Sequence, residues 1–161
     1  MLHRSLYSFV SLLLLTMLVI PCAAHAQEGW TSYKTTNTGI AQNRIHDIVV
    51  TGDIAWIATY GGGISRYDIT AGTWTTYNTT NSSLLENDIN VIAISGSVVY
   101  FGQANRGIVS FDGTDWIRYT KDNSGLTNDM INDMSVDSQG RLWVATYGGG
   151  LCMFDLSLIH I

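Results

Sequence analysis

The chain has 161 residues, of which 46% are hydrophobic and 13% are charged, and its formal net charge is −5 at pH 7. A protein that binds a nucleic acid normally presents a basic face to the phosphates, and this acidic balance provides none. Nucleic acid is therefore excluded as an expected partner.

Residues 1–26 have the pattern of a secretory signal peptide. A cationic start is followed by the apolar run Phe9–Ile20, and Ala24 and Ala26 are the small residues that a signal peptidase requires. The apolar run is shorter than the ~20 residues that span a bilayer. We therefore expect a mature chain that begins near Gln27, carries no membrane span and is periplasmic or secreted.

Two alternatives to cleavage remain open, a membrane anchor and a lipid anchor on Cys22. Pro21 argues against both, because it ends the apolar run and stands where a lipidation site has a small, flexible residue. Cleavage removes Cys22 and leaves Cys152 without a cysteine partner in the chain. One thiol builds neither a disulfide framework nor a Cys-based zinc site, and we expect no metal and no cofactor.

Three copies of one unit fill most of the chain, at about residues 28–71, 72–113 and 114–155. Each copy opens with a Trp and a Tyr three residues later, passes through an Asn-rich turn, and enters a strand at an Ile fifteen residues after the Trp. An aromatic residue then leads by seven residues to a Gly, and an Asp follows five residues further on. The residues at these positions are Trp30, Trp74 and Trp116; Ile45, Ile89 and Ile131; Trp56, Tyr100 and Trp143; Gly63, Gly107 and Gly150; and Asp68, Asp112 and Asp155.

Each unit is predicted to form about four short strands. In the second copy these are Ile89–Ile94, Val98–Gly102, Gly107–Phe111 and Trp116–Thr120. The first of them is apolar on both faces, so it must be covered on two sides. Four-stranded sheets stacked between like neighbours are the blades of a propeller. The prediction is an all-β fold, a β-propeller fragment of about three blades; a generic sandwich does not require Trp and Gly to recur in register.

Three blades do not close a ring, because propellers use roughly four to eight. We therefore expect either that the domain continues beyond Asp155 or that several chains associate. Residues 156–161 abandon the repeat and resemble translated sequencing-adapter sequence, which predicts a non-native tail. The alternative for these residues is a strand of an unfinished repeat.

The turns carry two further predictions. Gly52 and Gly96 fit tight two-residue hairpins with a positive φ at the Gly, and Gly140 fits a longer hairpin with the same requirement. The recurring Asp, at Asp68, Asp112 and Asp155, is expected to accept backbone hydrogen bonds in the turn after the third strand. A calcium ligand is the alternative for this position.

The run from Gly140 to Leu151, preceded by Asn123–Leu126 and Ile131–Asp137, resembles a two-component regulator propeller repeat, and Trp56–Gly63 repeats its Trp-x-x-Thr-Tyr-Gly-Gly-Gly signature. The resemblance extends over Glu28 to Asp155. The second copy departs from it, because Tyr100–Gly107 replaces the Trp and the triple Gly.

Repeats of that family form periplasmic propellers of membrane-bound hybrid histidine kinases, which commonly sense glycans or their breakdown products, and similar repeats occur in secreted and cell-surface proteins. The resemblance thus implies an extracytoplasmic ligand-recognition propeller, a sensor input domain whose partner is a glycan or another small ligand. A structural or protein-interaction propeller, whose partner is a protein or further blades, is the alternative. A propeller glycan lyase is a third.

Catalysis is not expected. A Ser-His-Asp arrangement would have to use His46 with Asp47, but consecutive strand residues point to opposite faces, so Asp47 cannot orient His46. We therefore predict that the chain is not an enzyme.

Ligand contacts are predicted at loop positions that vary between the copies and near the start of the inner strands. Aromatic faces with neighbouring amides suit the ring faces and hydroxyls of a carbohydrate. The alternative is that these residues are ordinary solvated loop positions. The Trp that opens each copy is assigned to blade packing. The candidate ligand-binding residues are Tyr60, Tyr147, Asn105, Arg106, His46, Asn90 and Asn132.

Overall fold

The computed structural model describes residues 29–155, and the second of two compact units begins at Ser32. The predicted signal peptide, residues 1–26, and the predicted tail, residues 156–161, lie outside the described residues. Residues 32–155 form eleven strands in three antiparallel sheets. No helix among the described residues is long and apolar enough to cross a membrane. The all-β prediction is confirmed.

The strands of each sheet are neighbours in chain order. The first sheet consists of β1 Ile45–Thr51, β2 Ile54–Thr59, β3 Ile64–Asp68 and β4 Thr73–Tyr77. The second consists of β5 Ile89–Ser95, β6 Val98–Gln103, β7 Ile108–Phe111 and β8 Trp116–Tyr119. The third, within the described residues, consists of β9 Ile131–Val136, β10 Arg141–Thr146 and β11 Gly150–Asp155.

The sheets are offset by one strand from the sequence repeats. The strand that carries Trp74 pairs with β3 and completes the first sheet, and the strand that carries Trp116 pairs with β7 and completes the second. The blade boundaries predicted at residues 71 and 113 therefore fall inside a sheet. The physical reason is the tight turn after Asp68, in which Gly72 N donates to Asp68 O at 2.8 Å and the chain reverses to pair with β3.

Apolar side chains fill the spaces between neighbouring sheets. Between the first and second sheets, the ring of Trp56 lies 5.5 Å from that of the fully buried Phe101. Between the second and third, Ile131 and Leu142 are almost completely buried. Full burial of such a side chain stabilises the fold by about 1.5–3 kcal/mol. These two layers hold the three sheets in a row.

The Trp that opens each repeat follows its predicted packing role in two of three copies. Trp74 stacks on Tyr67 with 4.5 Å between ring centroids, and Trp116 stacks on Phe111 at 4.4 Å. Trp30 differs, because 82% of its surface is exposed. Its equivalents pack on the third strand of the sheet that they complete, and residues 29–44 contain no such strand.

The Asn-rich turns stabilise the segments that lead the chain into the first strand of each sheet. Asn81 Oδ1 accepts from Asn78 N at 2.8 Å, and its Nδ2 donates to Thr76 O at 2.9 Å. Asn37 and Asn123 make the same pair of bonds. An Asn side chain that bonds nearby backbone groups is a local turn former, and this explains why the repeat keeps Asn here.

The predicted turn chemistry is also present. Gly52, Gly96 and Gly140 have φ of 53°, 59° and 77°. Asp68 Oδ1 accepts from Ala71 N at 2.9 Å, and Asp112 Oδ1 accepts from Asp115 N at 2.8 Å. The backbone bonds also hold the pKa of the Asp112 carboxyl below its ordinary value. The turn-forming role is confirmed for these two aspartates.

Candidate functional site

All seven predicted site residues lie at one end of the three sheets. We call the first strand of each sheet, β1, β5 or β9, its inner strand. The start of each inner strand lies beside the end of the second strand of the same sheet, as the registers Ile45↔Thr59, Ile89↔Gln103 and Ile131↔Thr146 show. The loops that follow the second strands are therefore at that same end. We call it the loop edge: residues 60–63, 104–107 and 147–149, with residues 44–46, 88–90 and 130–132.

His46, Asn90 and Asn132 each stand in a β-bulge. The register of the inner strand shifts at these positions, so one residue is left over in the ladder. A bulge redirects its side chain out of the regular alternation. This explains how a polar side chain at the start of a buried strand reaches out of its own sheet, which the repeat pattern does not reveal.

The side chains of two of these bulge residues form hydrogen bonds with backbone carbonyls of the next sheet. Asn90 Nδ2 donates to the Ile131 carbonyl at 2.8 Å. His46 Nδ1 lies 3.0 Å from the Ile89 carbonyl oxygen, which can only accept, so Nδ1 carries the proton. Each side chain thus has one polar atom engaged in the fold. Asn132 holds the same position in the third sheet and is exposed.

Tyr60 forms an aromatic and cationic cluster with two residues of the chain segment entering β1. The guanidinium carbon of Arg44 lies 4.1 Å from the Tyr60 ring centroid, and the His46 ring lies 5.7 Å from it. Tyr60 N also donates to Arg44 O at 3.0 Å. A cation over an exposed ring contributes about 0.5–1 kcal/mol. The ring, still 46% exposed, is therefore a positioned flat surface beside a positive charge.

Arg44 was not among the predicted site residues. Its equivalents are Asp88 and Met130, each directly before the Ile that begins an inner strand. Ala104 N and Tyr147 N donate to the carbonyls of Asp88 and Met130, as Tyr60 N does to that of Arg44. The backbone role is shared while the side chain changes from positive to negative to apolar. This variation at a fixed position is the signal that could have found Arg44.

The fold requires a glycine at the middle position of each triple-Gly loop. A Cβ on Gly149 would lie 2.7 Å from the hydroxyl oxygens of Thr127 and Thr146, and one on Gly62 would lie 2.8 Å from the Thr59 hydroxyl. Thr59 Oγ1 donates to Gly63 O at 2.7 Å. The absence of a side chain at the middle Gly leaves room for these hydroxyls. Tyr147 stands before such a loop and is 63% exposed.

In the loop between β6 and β7, a different side chain makes the hydrogen bonds that hold the loop. Gln103 replaces the Thr, is fully buried, and accepts from Leu85 N at 2.9 Å through Oε1. Its Nε2 donates to Arg106 O at 3.1 Å, while Asn105 N donates to Glu86 Oε1. Asn105 and Arg106 are both exposed. The second copy thus presents an amide and a cation where its neighbours present an aromatic ring.

Open cavities lie at the opposite end of the sheets. One of about 450 Å³ between the first and second sheets is lined by Trp56, Arg66, Tyr77 and Asp112, among others. None of the seven predicted site residues lines it. Within residues 29–155, no three His, Cys, Asp or Glu side chains are grouped so as to hold a metal ion.

Asp137 forms a separate polar cluster at this opposite end. Its Oδ2 accepts from Trp143 Nε1 at 2.9 Å and from Arg141 Nε at 2.7 Å. The bond from Trp143 has the largest effect on the pKa of the Asp137 carboxyl, and burial opposes it. Together with the bonds from Arg141 and Gln139, the Trp143 bond holds this pKa well below its ordinary value. All its partners lie in the same hairpin, so the cluster stabilises the third sheet.

Residues 125–148 match the family described as Two component regulator propeller. The matched residues lie within the third copy, so this part of the chain is similar to a two-component regulator propeller repeat. This confirms the resemblance stated on the sequence. No curated protein matches the chain.

Solved structures show the same fold. The extracellular domain of the hybrid two component system BT3049 from B. thetaiotaomicron is 23% identical with a TM-score of 0.62, over 80% of this chain and 19% of that one. That of BT4673 from the same organism is 22% identical with a TM-score of 0.60, over 80% and 16%. PorZ, a surface component of the type-IX secretion system of Porphyromonas gingivalis, is 16% identical with a TM-score of 0.62, over 78% and 20%.

The chain thus spans about a fifth of the length of these structures. At this level of identity the likeness concerns the fold alone. It confirms that the three sheets are a fragment of a β-propeller.

Proposed function

We propose that the chain is part of an extracytoplasmic ligand-recognition propeller, the sensor input domain of a two-component signalling protein. One observation carries the proposal. The loop edge concentrates exposed side chains that differ between copies, whereas the positions that repeat are occupied by packing and turn formation. A surface that varies on a constant scaffold is the usual arrangement of a binding site.

The chemistry of the loop edge suits a glycan. Tyr60 offers a ring face to the C–H face of a sugar, and Arg44 beside it offers hydrogen-bond donors to hydroxyl or carboxylate oxygens. Asn105, Arg106 and Tyr147 provide the same two kinds of group on the next loops. Few directed polar groups around an aromatic surface are typical of small-ligand sites. The similarity to extracellular domains of hybrid two component systems supports an extracytoplasmic location.

Calorimetric titration of a glycan panel against the full chain tests this proposal. For a glycan that binds, Tyr60→Ala should weaken binding by about 1–3 kcal/mol, because the ring contact is lost and the partner groups are left imperfectly paired. Tyr147→Ala should have an effect of the same kind.

Ile117→Ala is the matched control, because Ile117 is 48% exposed on the outer strand of the second sheet, away from the loop edge. Affinity that is unchanged in both Tyr variants, or lost together with the folded circular-dichroism spectrum, would contradict the ligand role.

A structural or protein-interaction propeller is the second candidate. The observation that favours it is the exposed apolar surface on the outer faces of the first and third sheets, at Ile48 and Leu151 for example. The similarity to PorZ, a bacterial surface component, is in keeping with it. A binding assay on the immobilised full chain tests this candidate. Binding of a defined envelope protein, without binding of any glycan, would support it.

We propose no catalytic role for the chain. His46, the imidazole at the loop edge, has Nδ1 engaged with the Ile89 carbonyl, while the neighbouring Asp47 accepts from Ile92 N at 2.7 Å. The two side chains are thus held by separate partners. Release of unsaturated or shortened products from bound glycans would overturn this assignment.

A further inference from the structure

The cavity of about 450 Å³ between the first and second sheets has the features of a small-ligand site, and we call it the Trp56 cavity. Aromatic rings form its walls, because the Trp56 ring lies 6.1 Å from that of Tyr77 and 6.2 Å from that of Phe111. Thr51 and Arg66 add polar groups to the lining. Pockets of roughly 300–1,000 Å³ with apolar walls and a few polar groups are typical of small-ligand sites.

The indole N–H of Trp56 is a free donor in the part of the chain that the structure describes. No acceptor of residues 29–155 lies within hydrogen-bond distance of Trp56 Nε1, although every fully buried polar side-chain atom among these residues has a partner. The N–H is therefore accessible. Only 6% of the Trp56 surface is exposed, and this residue lines the cavity, so the N–H opens into the cavity. An indole nitrogen can only donate, so the group that satisfies it must supply an acceptor.

The third sheet contains a carboxylate at the equivalent corner. Trp143 is the equivalent of Trp56, and its Nε1 donates to Asp137 Oδ2 at 2.9 Å. Arg141 Nε donates to the same oxygen at 2.7 Å, and the Arg141 guanidinium carbon lies 5.7 Å from the centroid of the Trp143 ring. An indole N–H and a guanidinium thus hold one carboxylate oxygen between them.

The first sheet has the same two donors. The guanidinium carbon of Arg66 lies 5.9 Å from the centroid of the Trp56 ring, and Arg66 stands directly opposite Trp56 in the pairing of β2 with β3. The registers of the two hairpins place Thr51 at the position of Asp137. The first sheet therefore has a hydroxyl where the third sheet has the carboxylate that joins the two donors.

Two carboxylates lie near the Trp56 cavity, and both are engaged with their own turns. Asp68 Oδ2 is 3.9 Å from Arg66 Nη2, which is beyond hydrogen-bond distance, and Asp68 Oδ1 accepts from the backbone of the following turn. Asp112 lines the cavity from the second sheet, and its Oδ1 likewise accepts from backbone N–H groups of its turn. The donors of Arg66 thus remain available to a ligand. The two acids disfavour a ligand with more than one negative charge.

We propose that the Trp56 cavity binds a small organic monocarboxylate with an apolar or aromatic body. The carboxylate takes the place that Asp137 has in the third sheet, and it accepts from Trp56 Nε1 and from the Arg66 guanidinium. Hydrogen bonds between a carboxylate and a guanidinium are charge-assisted and are among the strong ones in proteins. The body of the ligand packs against the rings of Tyr77 and Phe111, which supply a large apolar contact. This site is separate from the loop edge and does not depend on the function proposed for it.

Titration of the full chain with benzoate, followed by proton–nitrogen correlation NMR of the indole groups, tests the site. The signal of the Trp56 indole is identified by its absence in Trp56→Phe. Benzoate should shift this signal in a saturable manner at millimolar concentrations. Benzamide has the same shape without the charge, and it should bind at least about tenfold more weakly. An unshifted Trp56 signal, or equal affinity for benzamide, would overturn the proposal.

The guanidinium is tested by Arg66→Gln, which should weaken benzoate binding at least about tenfold, because the charge-assisted bond is lost. Lys121→Gln is the matched control. It removes the same charge at an exposed position that does not line the cavity, and it should leave the affinity unchanged. An Arg66→Gln variant that binds benzoate as tightly as Lys121→Gln does would contradict the assignment of Arg66.

Thr51→Asp tests whether the site is equivalent to the corner of the third sheet. The new carboxylate should occupy the place of the ligand, shift the Trp56 indole signal without any addition, and weaken benzoate binding at least about tenfold. Thr70→Asp adds the same charge at an exposed position in the turn after β3, outside the lining, and should bind benzoate as the parent chain does. Full benzoate affinity in Thr51→Asp, with the Trp56 signal unmoved, would overturn the proposal.

Discussion

The loop between β6 and β7 and the loop between β10 and β11 occupy the same place in neighbouring sheets, yet different side chains close them. In the third sheet a short hydroxyl suffices, because Thr146 Oγ1 reaches Gly150 O at 3.1 Å and the absence of a side chain at Gly149 leaves space for it. In the second sheet Gln103 reaches further and bonds backbone on both sides. In both sheets, therefore, the side chain at this position holds the loop by hydrogen bonds. The loop residues that take no part in these bonds can differ between the copies.

The largest effect is expected at Gly107, which ends the loop of the second sheet. Gly107 has a φ of 76°, and a Cβ there would lie 2.2 Å from the carbonyl oxygen of Tyr119. Gly107→Ala should therefore separate β7 from β8 and destabilise the fold by more than about 3 kcal/mol. Chemical denaturation measures this loss.

Gly150→Ala is the matched variant. Gly150 has a φ of 80°, but no heavy atom of residues 29–155 lies within 4 Å of the place that a Cβ would occupy. Only the backbone conformation is unfavourable, which costs about 1–2 kcal/mol. Equal losses for Gly107→Ala and Gly150→Ala would show that the close approach to Tyr119 has no energetic role.

A smaller effect is expected from the closing side chains themselves. Gln103→Leu should destabilise the fold by about 2–4 kcal/mol, because the fully buried Gln103 amide is lost and two partly buried backbone donors, Leu85 N and Glu86 N, lose their acceptor. Thr146→Val removes a hydroxyl that donates to Gly150 O and lies 3.4 Å from the Thr127 hydroxyl, and should cost about 1 kcal/mol. Denaturant midpoints of the two variants measure the difference. A Gln103→Leu variant no less stable than Thr146→Val would contradict the distinction drawn between the loops.

The smallest effect concerns pH, at the hairpin end of the third sheet. The folded-state pKa of Asp137 is lowered, first by the Trp143 indole, so its stabilising contribution is complete above the unfolded pKa of about 3.9 and is lost as the pH falls below that value. Asp137→Asn should lower the melting temperature at pH 7. Below pH 4, the difference in melting temperature between this variant and the parent chain should become smaller. The equivalent Ser95 of the second sheet carries no charge, and Ser95→Asn should show no such narrowing.

Much of the fold could be predicted from the repeat. The strands of the second copy lie within one residue of their predicted ends, and the turn glycines, Asp68 and Asp112 have their predicted roles. These features depend on local chemistry, positive φ at Gly and side-chain bonds to nearby backbone at Asp, which a short segment already contains. The loop edge was also predictable, because the start of one strand and the end of the next must meet in an antiparallel hairpin.

The roles of individual site residues were less predictable. His46 and Asn90 bind carbonyls of the next sheet, and Arg44 covers Tyr60, through contacts that depend on a β-bulge and on a neighbouring loop. Neither a bulge nor a cation over a ring has a sequence pattern of its own.

Strand content, turn types and the propeller repeat follow from the sequence alone, because hydrophobic alternation and turn residues act over a few positions along the chain. The packing of the sheets was needed to show that each Trp strand closes the sheet before it, and that Ile48 and Leu151 remain exposed where their equivalents are buried. Burial depends on which sheet lies alongside. That neighbour is about forty residues away in a repeat of this length, and the same residue types serve equally well with or without it.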